Sequence, residues 1–173
     1  MKLHVDQRFE RVTLERFVDT YFSEDFNNAV APLAGLRSRT LVEERRLDDG
    51  TRERRVRMEP AVSLPPPIDR LVGREPISYD EVSRYQPMAQ ELAFHVESRA
   101  GQRVAFAGVI RFVADGDGVR RVIDAELKIQ APLGLGAVVE RFVLAETEKG
   151  YQRIATFLQG WLDERAGSAV TSR

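Results

Sequence analysis

The chain has 173 residues, 43% of them apolar and 31% charged, with a formal net charge of −1 and no cysteine. That length fits one domain with a substantial buried core. The balanced charge leaves no electrostatic footprint for nucleic acid or an anionic membrane, and the missing cysteines exclude disulfides and thiolate chemistry.

Residues 2–9, KLHVDQRF, put Leu3, Val5 and Phe9 on one face, as a half-buried strand does. The charges there also interrupt the apolar run that a secretory signal needs, and no later stretch approaches the roughly 20 apolar residues of a membrane span. A soluble, cytoplasmic chain with no integral membrane segment is the expectation. Thr13 is the expected N-cap of a short helix, LERFVDTYF, whose apolar face carries Phe17, Val18, Tyr21 and Phe22. Ser23 caps a second helix, which Pro32 and Gly35 end.

The middle of the chain reads as β. Asp48-Asp49-Gly50 joins TLVEERRL to TRERRVRME as a hairpin, and the interleaved arginine and glutamate predict cross-strand ion pairs on a solvated face. Three consecutive prolines bar SLPPPIDRLVG from a central strand, so 63–73 reads as a crossing loop with one helical turn at 68–72. PISYDEVSRYQ is a strand with an imperfect period, which predicts a bulge. AQELAFHVES sets Leu92, Phe94 and Val96 against Glu91, His95 and Glu97. RAGQ then turns the chain into RVAFAGVIRFV, and ADGDG turns it into VRRVIDAELKIQA, with Ile123, Ala125, Leu127 and Ile129 on one face.

From about Leu133 to Arg165 the pattern is helical, using Val138, Val139, Phe142 and Ala145, then Ile154, Phe157, Leu158 and Trp161. Such a helix is about 48 Å long, against roughly 34 Å for a strand of about ten residues, so it can cross the whole sheet. Gly150 marks an expected kink. Residues 1–166 form the expected single domain and 167–173 an expected disordered tail. Strand, two helices, six antiparallel strands and a long helix make an α+β fold, a meander apart from the jump after the first strand.

Two stretches carry a family resemblance: LPPPIDRLVG followed by EPISYDEVSRYQ, and AELKIQAPLGLGAVVERF ending in FLQGWL. They resemble domain-of-unknown-function family 2505, a branch of the START-like, or SRPBCC, superfamily with its helix-grip fold. The resemblance covers about residues 2–165. That family ends its last strand with Pro-Leu, then glycines, then a helix bearing a glutamate. Pro132, Leu133, Gly134, Gly136 and Glu140 match, with one extra residue between the proline and the glutamate. The resemblance implies a seven-stranded curved antiparallel sheet wrapped around the C-terminal helix, with a cavity between them. Superfamily members use that cavity for lipids, sterols, polyketides, plant hormones or quinone-like molecules, and a minority are cyclases or other enzymes.

The residues themselves leave several choices. Gly134-Leu135-Gly136 is half of a dinucleotide fingerprint, but Val139 stands where the third small residue belongs and no βαβ unit surrounds it. The glycines then serve close packing of the helix start on the sheet, or leave an opening beneath it. Alternation points Val104, Phe106, Gly108, Ile110 and Phe112 inward. Small residues at Gly108 and Ala125 suggest an incompletely filled interior. The alternative is that Phe106, Phe112, Phe142 and Trp161 plug it.

The expected cavity set is Tyr79, Tyr85, Phe94, Phe106, Gly108, Ile110, Phe112, Leu127, Ile129, Val138 and Phe142. If Tyr79, Glu81, Ser83 and Tyr85 all face inward, the cavity has a polar stripe, and a buried Glu81 is a candidate general acid or base. The bulge would instead send Glu81 to the surface, and that is the expected outcome, because carboxylates are rarely buried unpaired. His4 and His95 alternate with apolar neighbours and should face solvent, so no metal site or cofactor is expected. The function expected is a binding or carrier protein for a small hydrophobic ligand such as a lipid, polyketide or quinone-like molecule, acting as a monomer. A cyclase/aromatase-type enzyme using Glu81 is one alternative. A co-chaperone-like interaction domain with a filled interior is the other.

Overall fold

The computed structural model describes residues 1–61, 78–98, 104–130 and 136–170. The crossing loop at 63–73, the RAGQ turn, and Pro132, Leu133 and Gly134 lie outside the described residues. The chain opens with β1 (Lys2–Phe9), then α1 (Leu14–Phe22) and α2 (Glu24–Val30). The Thr13 hydroxyl accepts the Arg16 amide, and the Ser23 hydroxyl accepts the Phe26 amide, both at 3.3 Å. Ser23 is extended, so one residue ends α1 and caps α2. The pair is therefore a tight corner rather than one bent rod.

Six more strands follow in the expected meander, β2 (Leu36–Arg46), β3 (Arg52–Pro60), β4 (Tyr79–Gln86), β5 (Glu91–Ser98), β6 (Val104–Asp115) and β7 (Gly118–Ile129), and with β1 they form one sheet in spatial order β1-β7-β6-β5-β4-β3-β2. The jump places β1 antiparallel to β7, with Leu3 opposite Ala125 and Val5 opposite Ile123. Gly50 turns the first hairpin at φ +80°, a conformation that suits glycine. The bulge expected in β4 is not there. Tyr79 to Tyr85 pair without a break on both sides, and the irregularities fall on β2, after Leu36 and Leu41.

The last helix, α3 (Gly136–Val170), crosses the concave face. It extends beyond the expected end at Arg165 and stays helical through Gly150, which packs near the Ala34 backbone. The arrangement is the helix-grip fold.

The concave face is covered unevenly. α1 lays Phe17 between Phe9 and Phe112, with ring centroids 4.8 and 5.7 Å away. Tyr21 meets Phe112 at 5.1 Å and Phe22 meets Tyr85 at 5.4 Å. Phe26 of α2 reaches Trp161 of α3 at 5.8 Å. Each fully buried ring is worth about 1.5–3 kcal/mol from burial, so this aromatic cluster is a main source of cohesion. Leu158 and Leu162 seal it from the helix side.

Cross-strand ion pairs do stud the convex face, but those of Arg55 and Arg57 join β3 to β4 and β5 rather than the two strands of the first hairpin, where Glu44 meets the buried Arg54 at 3.6 Å. Arg55 meets Glu97 at 2.6 Å and Asp80 at 3.4 Å, and Arg57 meets Asp80 at 3.0 Å. Arg54 has the opposite parity. It is buried on the concave side, where it pairs with Glu24 of α2.

Candidate ligand-binding cavity

Where the aromatic cluster stops, a cavity of about 290 Å³ begins. Its walls come from every layer. Tyr21, Phe22, Phe26 and Val30 close it from α1 and α2, while Val143, Thr147, Tyr151 and Ile154 close it from α3. The sheet contributes Val56, Tyr79, Glu81, Leu92, Phe106, Arg121 and Leu127, among others. Left empty, such a space would cost on the order of 7 kcal/mol, comparable with a whole domain's stability. Its polar groups therefore call for water or a ligand.

The expected residues divide between two places. Tyr79, Phe106 and Leu127 line the cavity. Tyr85, Ile110 and Phe112 do not. They lie in the aromatic and aliphatic core that α1 covers. Phe94 is buried against Phe106, with centroids 5.5 Å apart, and stands outside the lining set. Ile129 and Phe142 are partly buried without lining it. Val138 is 58% exposed, because the inward stripe of α3 runs through Val139, Val143, Thr147 and Tyr151 instead.

Gly108 serves the sheet rather than the cavity. It pairs with Ala125, and a Cβ there would lie 2.4 Å from the Asp124 carbonyl oxygen and 2.6 Å from the Ala125 Cβ. Glycine allows β6 and β7 to approach this closely where the sheet curves. Both histidines are exposed and bonded to carboxylates, His4 to Asp124 and His95 to Glu97. No group of histidine, aspartate and glutamate able to hold a metal exists among the described residues.

Glu81 is the main correction. With β4 unbroken, it falls on the inward face between Tyr79 and Ser83 and enters the cavity. Among the described residues nothing hydrogen-bonds to its carboxylate. Burial pushes its pKa up, while the charges of Arg39 and Arg54 pull the other way. Those two arginines are both held by Glu24, Arg39 at 3.0 Å.

At another part of the wall stands Arg121, 1% exposed. Its guanidinium donates to the Gln7 side chain and lies over the rings of Phe9 at 5.3 Å and Tyr151 at 5.7 Å. No carboxylate pairs with it among the described residues, and its Nε has no hydrogen-bond acceptor there. Burial lowers its pKa, and among the described residues Tyr21 and Tyr151 act on it electrostatically. A desolvated cation–π contact contributes about 2 kcal/mol, whereas burying an unpaired ion costs several. Burial also holds the Tyr21 phenol up at about 12 and raises those of Tyr79 and Tyr151, so all three remain hydrogen-bond donors. None of these hydroxyls has a partner among the described residues.

The sequence carried a signal for Arg121. Alternation that places Ile123, Ala125 and Leu127 inward also places residue 121 inward, two positions earlier. Tyr151 sits three residues before Ile154 and seven before Leu158, on the same helical stripe. Neither was singled out, because an arginine and a half-polar ring look like surface residues.

The sequence model of the family described as "Protein of unknown function (DUF2505)" matches residues 5–162. The chain belongs to that family. No curated protein matches this DUF2505 chain. Solved structures share its fold. TTHA0849 from Thermus thermophilus is 13% identical with a TM-score of 0.66, over 92% of this chain and 95% of that one. The Zhui aromatase/cyclase from Streptomyces sp. R1128 is 12% identical with a TM-score of 0.63, over 96% of each chain. A START superfamily protein from Mycobacterium smegmatis is 13% identical with a TM-score of 0.60, over 94% and 97%. Among the described residues of this DUF2505 chain, no helix is long and apolar enough to cross a membrane.

Proposed function

We propose that this chain binds a small, largely apolar ligand in the cavity beneath α3, as a carrier or binding protein. The cavity itself carries the reading: about 290 Å³ bounded by Val56, Leu92, Phe106, Leu127 and Ile154, with a few polar groups among them. That mixture of apolar wall and sparse polar contacts is what small-molecule sites present. Tyr79 is a polar contact and Phe106 and Leu127 are apolar ones. A co-chaperone-like role calls for a filled interior, so the cavity weighs against it. Native mass spectrometry of gently purified protein, followed by lipid extraction, tests the proposal. A retained small molecule supports it. Bare protein, with no rise in melting temperature across lipid and polyketide panels, refutes it.

The position of Glu81 favours a second reading, acid–base conversion of the bound molecule. A carboxyl whose pKa burial raises is a candidate proton donor or acceptor for such a step. The aromatase/cyclase named among the fold neighbours supports that reading. Turnover of a polyketide-like substrate that Glu81→Gln abolishes, with binding retained, would establish this reading. Binding without turnover would leave the carrier role.

A further inference from the structure

Resting on that ligand-binding reading, the arrangement around Arg121 narrows the chemistry of the ligand. Two unlike charged groups, Glu81 and Arg121, line the one cavity. Glu81 responds to Arg39 and Arg54, which Glu24 already holds. Among the described residues Arg121 responds to Tyr21 and Tyr151, and both phenols also feel Glu81. The Arg121 guanidinium donates, and the phenol hydroxyls of Tyr21 and Tyr151 in the same lining can donate too. The only acceptor bound there is the Gln7 amide oxygen, and Nε has none among the described residues. A buried guanidinium whose Nε lacks an acceptor among the described residues, with two phenols in the same lining, forms a receptor for an anion. A single unpaired positive charge matches a monoanion. A planar guanidinium matches the two oxygens of a carboxylate.

The size of the space sets the rest of the molecule. At about 30 Å³ per water, 290 Å³ is the volume of about ten waters, so a ligand with on the order of ten non-hydrogen atoms fills it. We infer that the ligand is a small apolar carboxylic acid, its carboxylate held by Arg121, Tyr21 and Tyr151 and its apolar remainder lying among Leu92, Phe106 and Leu127.

Octanoic acid, octan-1-ol and octan-1-amine share one chain and differ in the head group. Titrated into the purified protein at neutral pH and followed by two-dimensional NMR, the acid should bind at least about tenfold tighter than the alcohol, with the amine weakest. Tyr151→Phe keeps the ring over Arg121 and removes one donor, so the acid-to-alcohol ratio should fall severalfold. Arg121→Gln should erase the ratio. If Arg121→Gln does not fold, Tyr151→Phe still decides the matter. Equal or tighter binding of the alcohol overturns the inference while leaving a ligand-binding cavity in place. A ratio that Tyr151→Phe leaves unchanged overturns it too. Failure of all three probes to bind removes the cavity reading along with it.

Discussion

Glu140 accepts the Ile129 amide at 2.8 Å, which ties the first turn of α3 to the end of β7. The match to a helix-borne glutamate thereby acquires a mechanical meaning. The same carboxylate faces the Met1 amino group at 3.2 Å, so β1, β7 and α3 meet at one side chain.

That bond holds the Glu140 pKa below its ordinary value of 4.5, chiefly through the Ile129 amide. A depressed folded-state pKa means that the stabilisation is complete above the ordinary carboxylate range and is lost as pH falls through the depressed value. Glu140→Ala should lower the melting temperature by several degrees at neutral pH. Glu140→Gln, which keeps an acceptor but not the charge, should lower it less. Melting curves from neutral to acidic pH check both, and the original protein and Glu140→Gln should converge at the acidic end.

Glu81 behaves oppositely. Its pKa is raised by burial, so the folded state holds the proton more tightly than the unfolded chain does. Stability is then greatest below the ordinary carboxylate range, falls as pH rises toward the raised folded value, and levels off above it. Glu81→Gln should raise the melting temperature at neutral pH, and the gain should vanish in acid. A pH series of thermal melts of both proteins decides it, and a variant less stable at neutral pH would contradict the inward placement.

Gly108→Ala should destabilise the fold by about 1–3 kcal/mol. The new methyl would meet the backbone of Asp124 and Ala125, which cannot move aside as a flexible side chain could. Urea unfolding should show a lower midpoint with an unchanged slope.

Thr147 lines the cavity, but its hydroxyl donates to the Val143 carbonyl at 2.8 Å, within its own helix. Thr147→Leu fills space with apolar volume and improves helix propensity, so it should stabilise by about 0.5–2 kcal/mol. The same change should weaken octan-1-ol binding. Gained stability with unchanged octan-1-ol affinity would place the ligand elsewhere.

Most of the architecture was legible because periodicity reports which face of an element is apolar. Leu92 and Phe94 on β5, Ile123 to Leu127 on β7, and the caps Thr13 and Ser23 all lie where pattern and cap chemistry put them. Position along a strand was not legible. Alternation places Phe106, Ile110 and Phe112 on one face, yet only Phe106 reaches the cavity, because α1 covers the other two. That depends on where a helix lands, which local pattern does not encode. Glu81 was misread for a different reason. The penalty for burying a carboxylate argued for a bulge, but the arginines that soften that penalty, Arg39 and Arg54, come from other strands.

The uneven filling of the grip divides labour within one small fold. Rings under α1 supply cohesion, while the side chains beyond them mostly enclose space. Substitutions in that second group can alter which molecule fits with little harm to folding. A lineage built on this plan is free to reshape its cavity while keeping its chassis.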